Sequence, residues 1–278
     1  MKNLSKILVL FLFTAFLFSC SNDDDNNQGD DTIDPTLAEV VTDDSKWISI
    51  SSDSRILSLE FNSSGNYIAV ENTLAKSTNG QQIRFGTYTR KDASTISLSG
   101  LGTVKVSSII NNTATMEITL TGSSTPIIFR GVKLAEMAST TKTDMLCQTW
   151  EIVKYNGESA VGTEFDAMTV LFSKAGTYFV TAPNGGDDMG GLAEWKWKPD
   201  TNETEFLYTW NGSFEGDYAG SFATINELTA TYLKITEVFE DEDDATDVWE
   251  FKSIKNTKSS VSSKTINSTF GNGIFGTR

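Results

Sequence analysis

The sequence carries the same hairpin twice. Phe61, Gly65 and Tyr67 are matched without a gap by Phe172, Gly176 and Tyr178, each pair 111 residues apart, and Val70 falls against Thr181 in the same frame. In both places a short apolar run leads into a polar turn, and an apolar run returns from it, with the glycine where a positive φ is expected. Self-similarity at one long period means two copies of one domain. Each copy opens on a tryptophan, Trp47 or Trp150. Two later pairs of landmarks are matched as well. Thr113-Ala114-Thr115-Met116 is set against Thr229-Ala230-Thr231-Tyr232, and Pro126-Ile127-Ile128-Phe129 against Val248-Trp249-Glu250-Phe251. The growing separation of the landmarks puts longer loops in the second copy, at 156–166, 184–191 and 241–247.

Short alternating segments separated by Gly, Asn, Asp and Ser read as strands, and no long helical periodicity competes with them. Eight are expected in the first copy, at 47–51, 55–61, 66–72, 82–89, 94–99, 103–110, 113–120 and 126–133. Eight more are expected in the second, at 149–155, 168–173, 177–182, 192–198, 203–210, 219–226, 228–238 and 246–254. Eight successive strands with mostly short turns suit an up-and-down barrel, because closing the sheet removes its edges. A β-sandwich is the alternative. The fold class is therefore all-β, with two small antiparallel β-barrels in tandem at 42–136 and 144–256.

Outside the repeat, the first nineteen residues have a basic start (Lys2, Lys6), an apolar stretch over 7–18 and a small residue, Ser19, before Cys20. That is the layout of a secretory signal, and the apolar stretch is shorter than the roughly 20 residues a spanning helix needs. Leu17-Phe18-Ser19-Cys20 resembles the lipobox of bacterial lipoproteins. The resemblance implies removal of 1–19, a diacylglyceryl group on the Cys20 thiol and a further acyl chain such as palmitate on the new amine. Several chains together anchor a protein stably where one does not. Ser21-Asn22-Asp23-Asp24-Asp25 resembles the surface-export signal of some Gram-negative lipoproteins. Localisation on the outer membrane, facing the cell exterior, is the expectation, with simple solvation of the tether as the alternative. Residues 20–41 are polar enough to read as a flexible acidic stalk, and 257–278 as a loose C-terminal tail. Within the stalk, Asp31-Thr32-Ile33 resembles an O-glycosylation acceptor.

An opening Trp, a Phe-x-x-x-Gly-x-Tyr hairpin, a central Trp pair and a closing Trp-x-Phe together resemble the lipocalin-like domain of bacterial lipoproteins. The second copy carries all of these, in Trp150, Phe172 to Tyr178, Trp195 with Trp197, and Trp249 with Phe251. The first copy has Tyr88 in place of the Trp pair and ends on Phe129 without a Trp. The resemblance implies a small barrel whose interior is either a cup for a small apolar molecule or filled by its own side chains.

Composition narrows the chemistry. The chain holds 22 Lys and Arg against 37 Asp and Glu, a net charge of −15. Such a surface repels nucleic acid, whose binding depends on cations that neutralise phosphates. There are no histidines and only two cysteines. The commonest acid–base group is absent, Ser-His-Asp and Cys-His mechanisms are excluded, and the mature chain can form no internal disulfide. Cys147, at the start of an apolar strand, reads as a small buried hydrophobe. The sequence has neither a phosphate-binding loop nor a dinucleotide fingerprint. No cofactor is expected, and no enzymatic activity.

Two loops are acidic, 184–191 with Asp187 and Asp188, and 240–247 with six acids among its eight residues. Oxygen ligands of this kind suit Ca²⁺, but dense like charge favours solvated loops, and no metal site is assigned. If the protein binds a small molecule, the candidate ligand-binding residues are Tyr178, Trp195, Trp197 and Trp210. Trp195 and Trp197 share one strand face, as a core or as a platform for stacking on glycans. The expected function is non-enzymatic binding of a small ligand or partner at the envelope. The alternatives are a surface carbohydrate-binding accessory protein and a structural scaffold that contacts other envelope proteins. Beyond the membrane that holds the lipid, protein partners are not identifiable from the sequence.

Overall fold

The structure is a computed structural model that describes residues 35–41, 45–52, 54–62, 65–72, 81–182, 190–210, 214, 222–238, 246–254 and 264–266. The described chain is all-β apart from two short helices, and forms two closed eight-stranded antiparallel barrels in tandem. Closure decides for barrels over a sandwich.

The first barrel runs β1 (Lys46–Ser49), β2 (Ile56–Phe61), β3 (Asn66–Asn72), β4 (Gln81–Arg90), β5 (Thr95–Leu98), β6 (Gly102–Ile110), β7 (Thr113–Leu120) and β8 (Ile127–Lys133). Each strand pairs with the next, and β8 returns to β1. The second runs β9 (Thr149–Tyr155), a two-residue β10 (Glu158–Ser159) that only pairs with β9, then β11 (Thr169–Phe172), β12 (Thr177–Thr181), β13 (Gly190–Trp197), β14 (Glu205–Thr209), β15 (Phe222–Leu228), β16 (Tyr232–Val238) and β17 (Thr246–Ser253). Here β17 closes onto β9. Alternation explains the pattern: in β7, Ala114, Met116, Ile118 and Leu120 are buried inside, while Thr113, Thr115, Glu117 and Thr119 lie on the outer face. The β6–β7 turn places Asn111 and Asn112 at φ 51° and 59°, the geometry of a two-residue turn that matches strand twist.

The repeated hairpin is superposable in detail. Phe61 pairs with Tyr67, and Phe172 with Tyr178. Gly65 and Gly176 have φ of 80° and 78°, a conformation that costs glycine nothing. The carbonyl of Gly65 accepts from the Tyr88 amide, and that of Gly176 from the Trp195 amide, both at 2.9 Å. Tyr88 is thus the first barrel's counterpart of Trp195. Each stands edge-on to its hairpin Phe, at 5.3 Å in the first barrel and 5.5 Å in the second.

Register corrects the later landmarks. Trp47 pairs with Lys133 and Trp150 with Ser253, so Phe129 corresponds to Trp249, not to Phe251. Residues 229–231 lie in the β15–β16 turn, so the counterpart of Ala114 is Leu233, not Ala230. Short Thr/Ala motifs match by composition, whereas strands are equated by the pairs they form.

A helix seals the same end of each barrel. α1 (Pro35–Val40) starts on a proline, suited to a first helical turn, and buries Leu37 and Val40 in the first core. Its Val40 carbonyl accepts from the Trp47 indole at 3.2 Å. α2 (Thr141–Leu146) is N-capped by the Thr140 side chain, and its Leu146 carbonyl accepts from the Trp150 indole at 2.9 Å. Residues 35–41 therefore belong to the first domain and not to a flexible stalk. With only Leu37 and Val40 facing inward, this helix is too short to show a period in the sequence. Cys147 caps α2 and packs against the second core; it does not start a strand.

The tail expected to be loose also contributes structure. β18 (Lys264–Ile266) pairs antiparallel with residues 83–85 of β4. β4 reaches β5 only through Tyr88, Thr89 and Arg90, so this short strand covers a sheet edge that closure leaves open.

The barrels meet through outer faces. Ile68, Ile83, Leu171 and Phe179 form a buried cluster with Phe85 and Leu192 at its margin. Phe85 and Phe179 rings lie 5.0 Å apart. Beside them the Lys46 ammonium donates to Thr177 Oγ1 at 2.9 Å, and the Thr177 hydroxyl donates to Glu60 Oε2 at 2.5 Å, all three residues being buried. This second burial explains why β3 and β12 are apolar on both faces.

Candidate functional site

The second barrel has two chemically different ends. At the α2 end the interior is an aromatic lattice. Phe172 contacts Trp195, Phe206 and Tyr178 at ring distances of 5.5, 5.3 and 5.0 Å. Trp195 stands edge-on to Trp197 at 5.3 Å. The Trp195 indole donates to the Ser173 carbonyl and the Trp197 indole to Thr143 Oγ1 of α2, both at 2.9 Å. Trp195 is 1% exposed, and Trp197 is half-buried against the core. Both close the helix end of the barrel, and Trp195 presents no open face for stacking.

The opposite end is where β12, β14 and β16 finish and β13, β15 and β17 begin. Antiparallel order brings these six strand ends together. Trp210 belongs to this half. Trp195 and Trp197 thus lie at the helix end and Trp210 toward the other, with the Tyr178 ring between them, 5.0 Å from Phe172 and 5.4 Å from Trp210.

What joins Tyr178 here is a pair of acids absent from that set. Glu237 follows Leu233 and Ile235 on the inward face of β16, and it is fully buried. Asp247 of β17 is its direct cross-strand partner, and Ala223 of β15 is its partner on the other side. The Tyr208 hydroxyl donates to Glu237 Oε1, while Oε2 is buried with no hydrogen-bond partner. Asp247 accepts from the Tyr155 hydroxyl at 2.8 Å and from Asn156 Nδ2 at 3.0 Å. Asn156 sits at φ 48° in the β9–β10 turn, and its Oδ1 accepts from the Val248 amide at 2.8 Å. The turn thus clamps Asp247 in place. Trp249 lies beside the pair, 4.4 Å from the Tyr155 ring.

Burial pushes the Glu237 carboxyl well above the ordinary carboxylate range; Tyr208 and Trp249 pull it back down, and the Asp247 charge adds to the rise. Removing a charged group from water without a counterion is unfavourable, so burial favours the protonated form of Glu237. Burial likewise raises the Tyr178 hydroxyl, with the Glu237 charge contributing.

The described lysines of the second barrel offer no internal counterion. Lys154 and Lys234 pair with Glu250, Lys252 with Glu151, Lys198 with Glu205 and Lys174 with Asp144. Lys142 donates to the Asn202 carbonyl, and Lys196 lies over the Phe214 ring. Among the described residues no three Cys, Asp or Glu side chains converge as a metal site. Cys20, loop residues 184–189 and residues 240–245 of the acidic run lie outside the described residues; Asp247, the last acid of that run, faces the barrel interior.

Glu237, Asp247, Tyr155, Tyr208 and Trp249 were not singled out by sequence reasoning as a site. The available signal was slight. In Leu233-Lys234-Ile235-Thr236-Glu237 the inward parity ends on an acid, but a strand about to leave the sheet reads the same way. No family model matches the sequence, and no curated protein matches it. The architecture and the acid pair carry the functional argument by themselves.

Proposed function

We propose that this is a lipid-anchored lipoprotein of the bacterial outer membrane, exposed at the cell surface, whose second lipocalin-like barrel binds a small molecule without transforming it. The observation that carries the binding reading is the buried Glu237 carboxyl, with one oxygen unpartnered, among aromatic rings at the barrel end opposite α2. A buried polar atom without a partner costs stability, and ligand sites combine apolar walls with a few such convergent groups. The small inward residues Ala182, Gly191, Ala193 and Ala223 suit an occupant at that level. Anchoring rests on the lipobox-like tetrapeptide ending in Cys20.

Two measurements test this. Native mass spectrometry of protein extracted from its own membrane is expected to show a retained small molecule that is lost in Glu237→Leu; only apo mass in both rejects the binding reading. Cys20→Ala is expected to move the protein from the membrane to the soluble fraction, and unchanged membrane association rejects the anchor.

A scaffold role is favoured by one other observation. Ile48 and Val132 are cross-strand partners on the outside of the first barrel, and with Ile50 and Ile128 they expose 39–57% of their surfaces in a row that only the exposed Arg130, opposite Ile50, interrupts. Contiguous exposed apolar surface marks contact sites. Ile50→Lys with Ile128→Lys is expected to abolish crosslinks to envelope proteins if the row is used.

A further inference from the structure

We infer that the ligand of the second barrel is a small organic cation, an ammonium on a partly apolar body, seated between the Glu237 and Asp247 carboxyls and the rings of Tyr178, Tyr208, Trp210 and Trp249. This rests on the reading of that barrel as a binding site and adds the chemistry of its occupant.

Three observations select a cation. First, two carboxyls are cross-strand neighbours inside one barrel, and the described lysines are engaged elsewhere. Glu237 Oε2 is fully buried and meets no donor in hydrogen-bond geometry, although the Trp249 indole also acts on this carboxyl. An ammonium N–H supplies both the missing bond and the missing charge. Second, the rest of the wall is aromatic, and a desolvated cation is held by ring faces. Ca²⁺ and Mg²⁺ take six or more oxygen ligands and Zn²⁺ at least three protein ligands from Cys, His or carboxylates, which two carboxyls and a set of rings do not provide among the described residues; an anion meets two acids.

Third, the field favours cations. The segments that connect the six strand ends, 183–189, 211–221 and 239–245, hold nine acids and no Lys or Arg in sequence. The matching segments of the first barrel, 73–80, 99–101 and 121–126, hold one Lys and no acid. A chain rich in charge of one sign raises the local concentration of the opposite ion.

The groups facing Glu237 are Tyr178 from β12, Tyr208 from β14, Asp247 and Trp249 from β17, with Tyr155 from β9 behind Asp247. None is basic. Burial in the empty barrel therefore favours protonated Glu237, whereas an arriving ammonium favours the carboxylate, so the proton passes to solvent as the ion pair forms. Charge balances, since one cation enters and one proton leaves.

The test uses the full mature chain and three isosteric probes: phenethylamine, 2-phenylethanol and phenylacetate. Titration is followed by tryptophan fluorescence and by calorimetry in buffers of different ionisation enthalpy. Phenethylamine is expected to bind about tenfold or more tightly than either other probe and to release close to one proton per molecule bound. Glu237→Gln is expected to erase the preference and the proton release, while Glu71→Gln in the first barrel leaves both unchanged. Equal binding of all three probes, or preference for the alcohol or the acid, overturns the cation and leaves the binding reading standing. Binding of none, with native mass spectrometry showing only apo protein, overturns both.

Discussion

The two barrels share a scaffold and differ at one end. At the helix end they agree closely: Trp47 and Trp150 each donate to the last carbonyl of the sealing helix, and the hairpins superpose. At the other end Tyr208, Glu237 and Asp247 occupy the positions of Leu98, Ile118 and Ile127. Conversely, the first barrel has Glu71 and Arg84 on its inward face where the second has Ala182 and Gly191. Glu71 and Arg84 form an ion pair at 3.3 Å. Tyr67 donates its hydroxyl to the Ser99 carbonyl at 2.5 Å, whereas its counterpart Tyr178 faces an acid. The first barrel is also tighter here, since a Cβ on Gly86 would collide with Ser99 and the Tyr67 ring, and the second barrel has Ala193 in that place. The first copy pairs its inward acid Glu71 with Arg84 and leaves no room for a side chain at Gly86. The other keeps a buried acid that its own residues only partly satisfy, which is what a site does at a cost in stability.

The largest effects are expected where the copies agree. Trp47→Ala and Trp150→Ala should each cost about 3–5 kcal/mol in chemical denaturation, and indifference to either breaks the equivalence of the two sealed ends. Exchanging the residues that differ should have opposite signs. Ile118→Glu, which buries an acid with no partner, should cost about 3 kcal/mol or more. Glu237→Ile should stabilise the chain by about 1–3 kcal/mol, as replacing a poorly satisfied buried polar group with an apolar one generally does. Destabilisation by Glu237→Ile would mean that the second barrel needs its acid to fold.

The pH dependence is smaller, and its sign follows from the raised Glu237 pKa. Between the ordinary value of 4.5 and the higher folded value, the native state binds the proton more strongly than the unfolded chain. The group's contribution is therefore greatest at low pH and declines as pH rises from 4.5, by up to about 1.4 kcal/mol per unit. Relative to Glu237→Gln, the native protein should lose stability across that window, and parallel curves would show that the carboxyl is not held neutral. Tyr155→Phe, which removes one hydrogen bond to Asp247, should cost about 1 kcal/mol, with no counterpart in the first barrel.

Most of the strands were legible because a half-buried strand writes its burial into the chain every second residue. Thr113 to Leu120 shows that alternation, and so does the doubled Phe-x-x-x-Gly-x-Tyr hairpin. α1 was not legible. Pro35 to Val40 has one inward turn, and its stabilisation comes from the Trp47 indole and a core assembled from strands far along the chain. β18 was hidden for a related reason: three residues become a strand only because β4 offers an edge. The Trp195 and Trp197 pair was legible as one face of a strand, but which end of the barrel it faced was not.

The sequence alone determined the local matters: an all-β chain, two copies of one unit, the turns that need a left-handed residue, and an acidic composition without histidine. Each depends on neighbours within a few residues or on simple counting. Only the tertiary structure decided that Glu237 and Asp247 lie side by side, that Tyr208 reaches the first and Tyr155 the second, and that Leu98, Ile118 and Ile127 stand in the same places in the other barrel. Cross-strand neighbours are set by register and closure, which unite residues as far apart in the chain as Trp150 and Ser253, and no local pattern records which residues those will be.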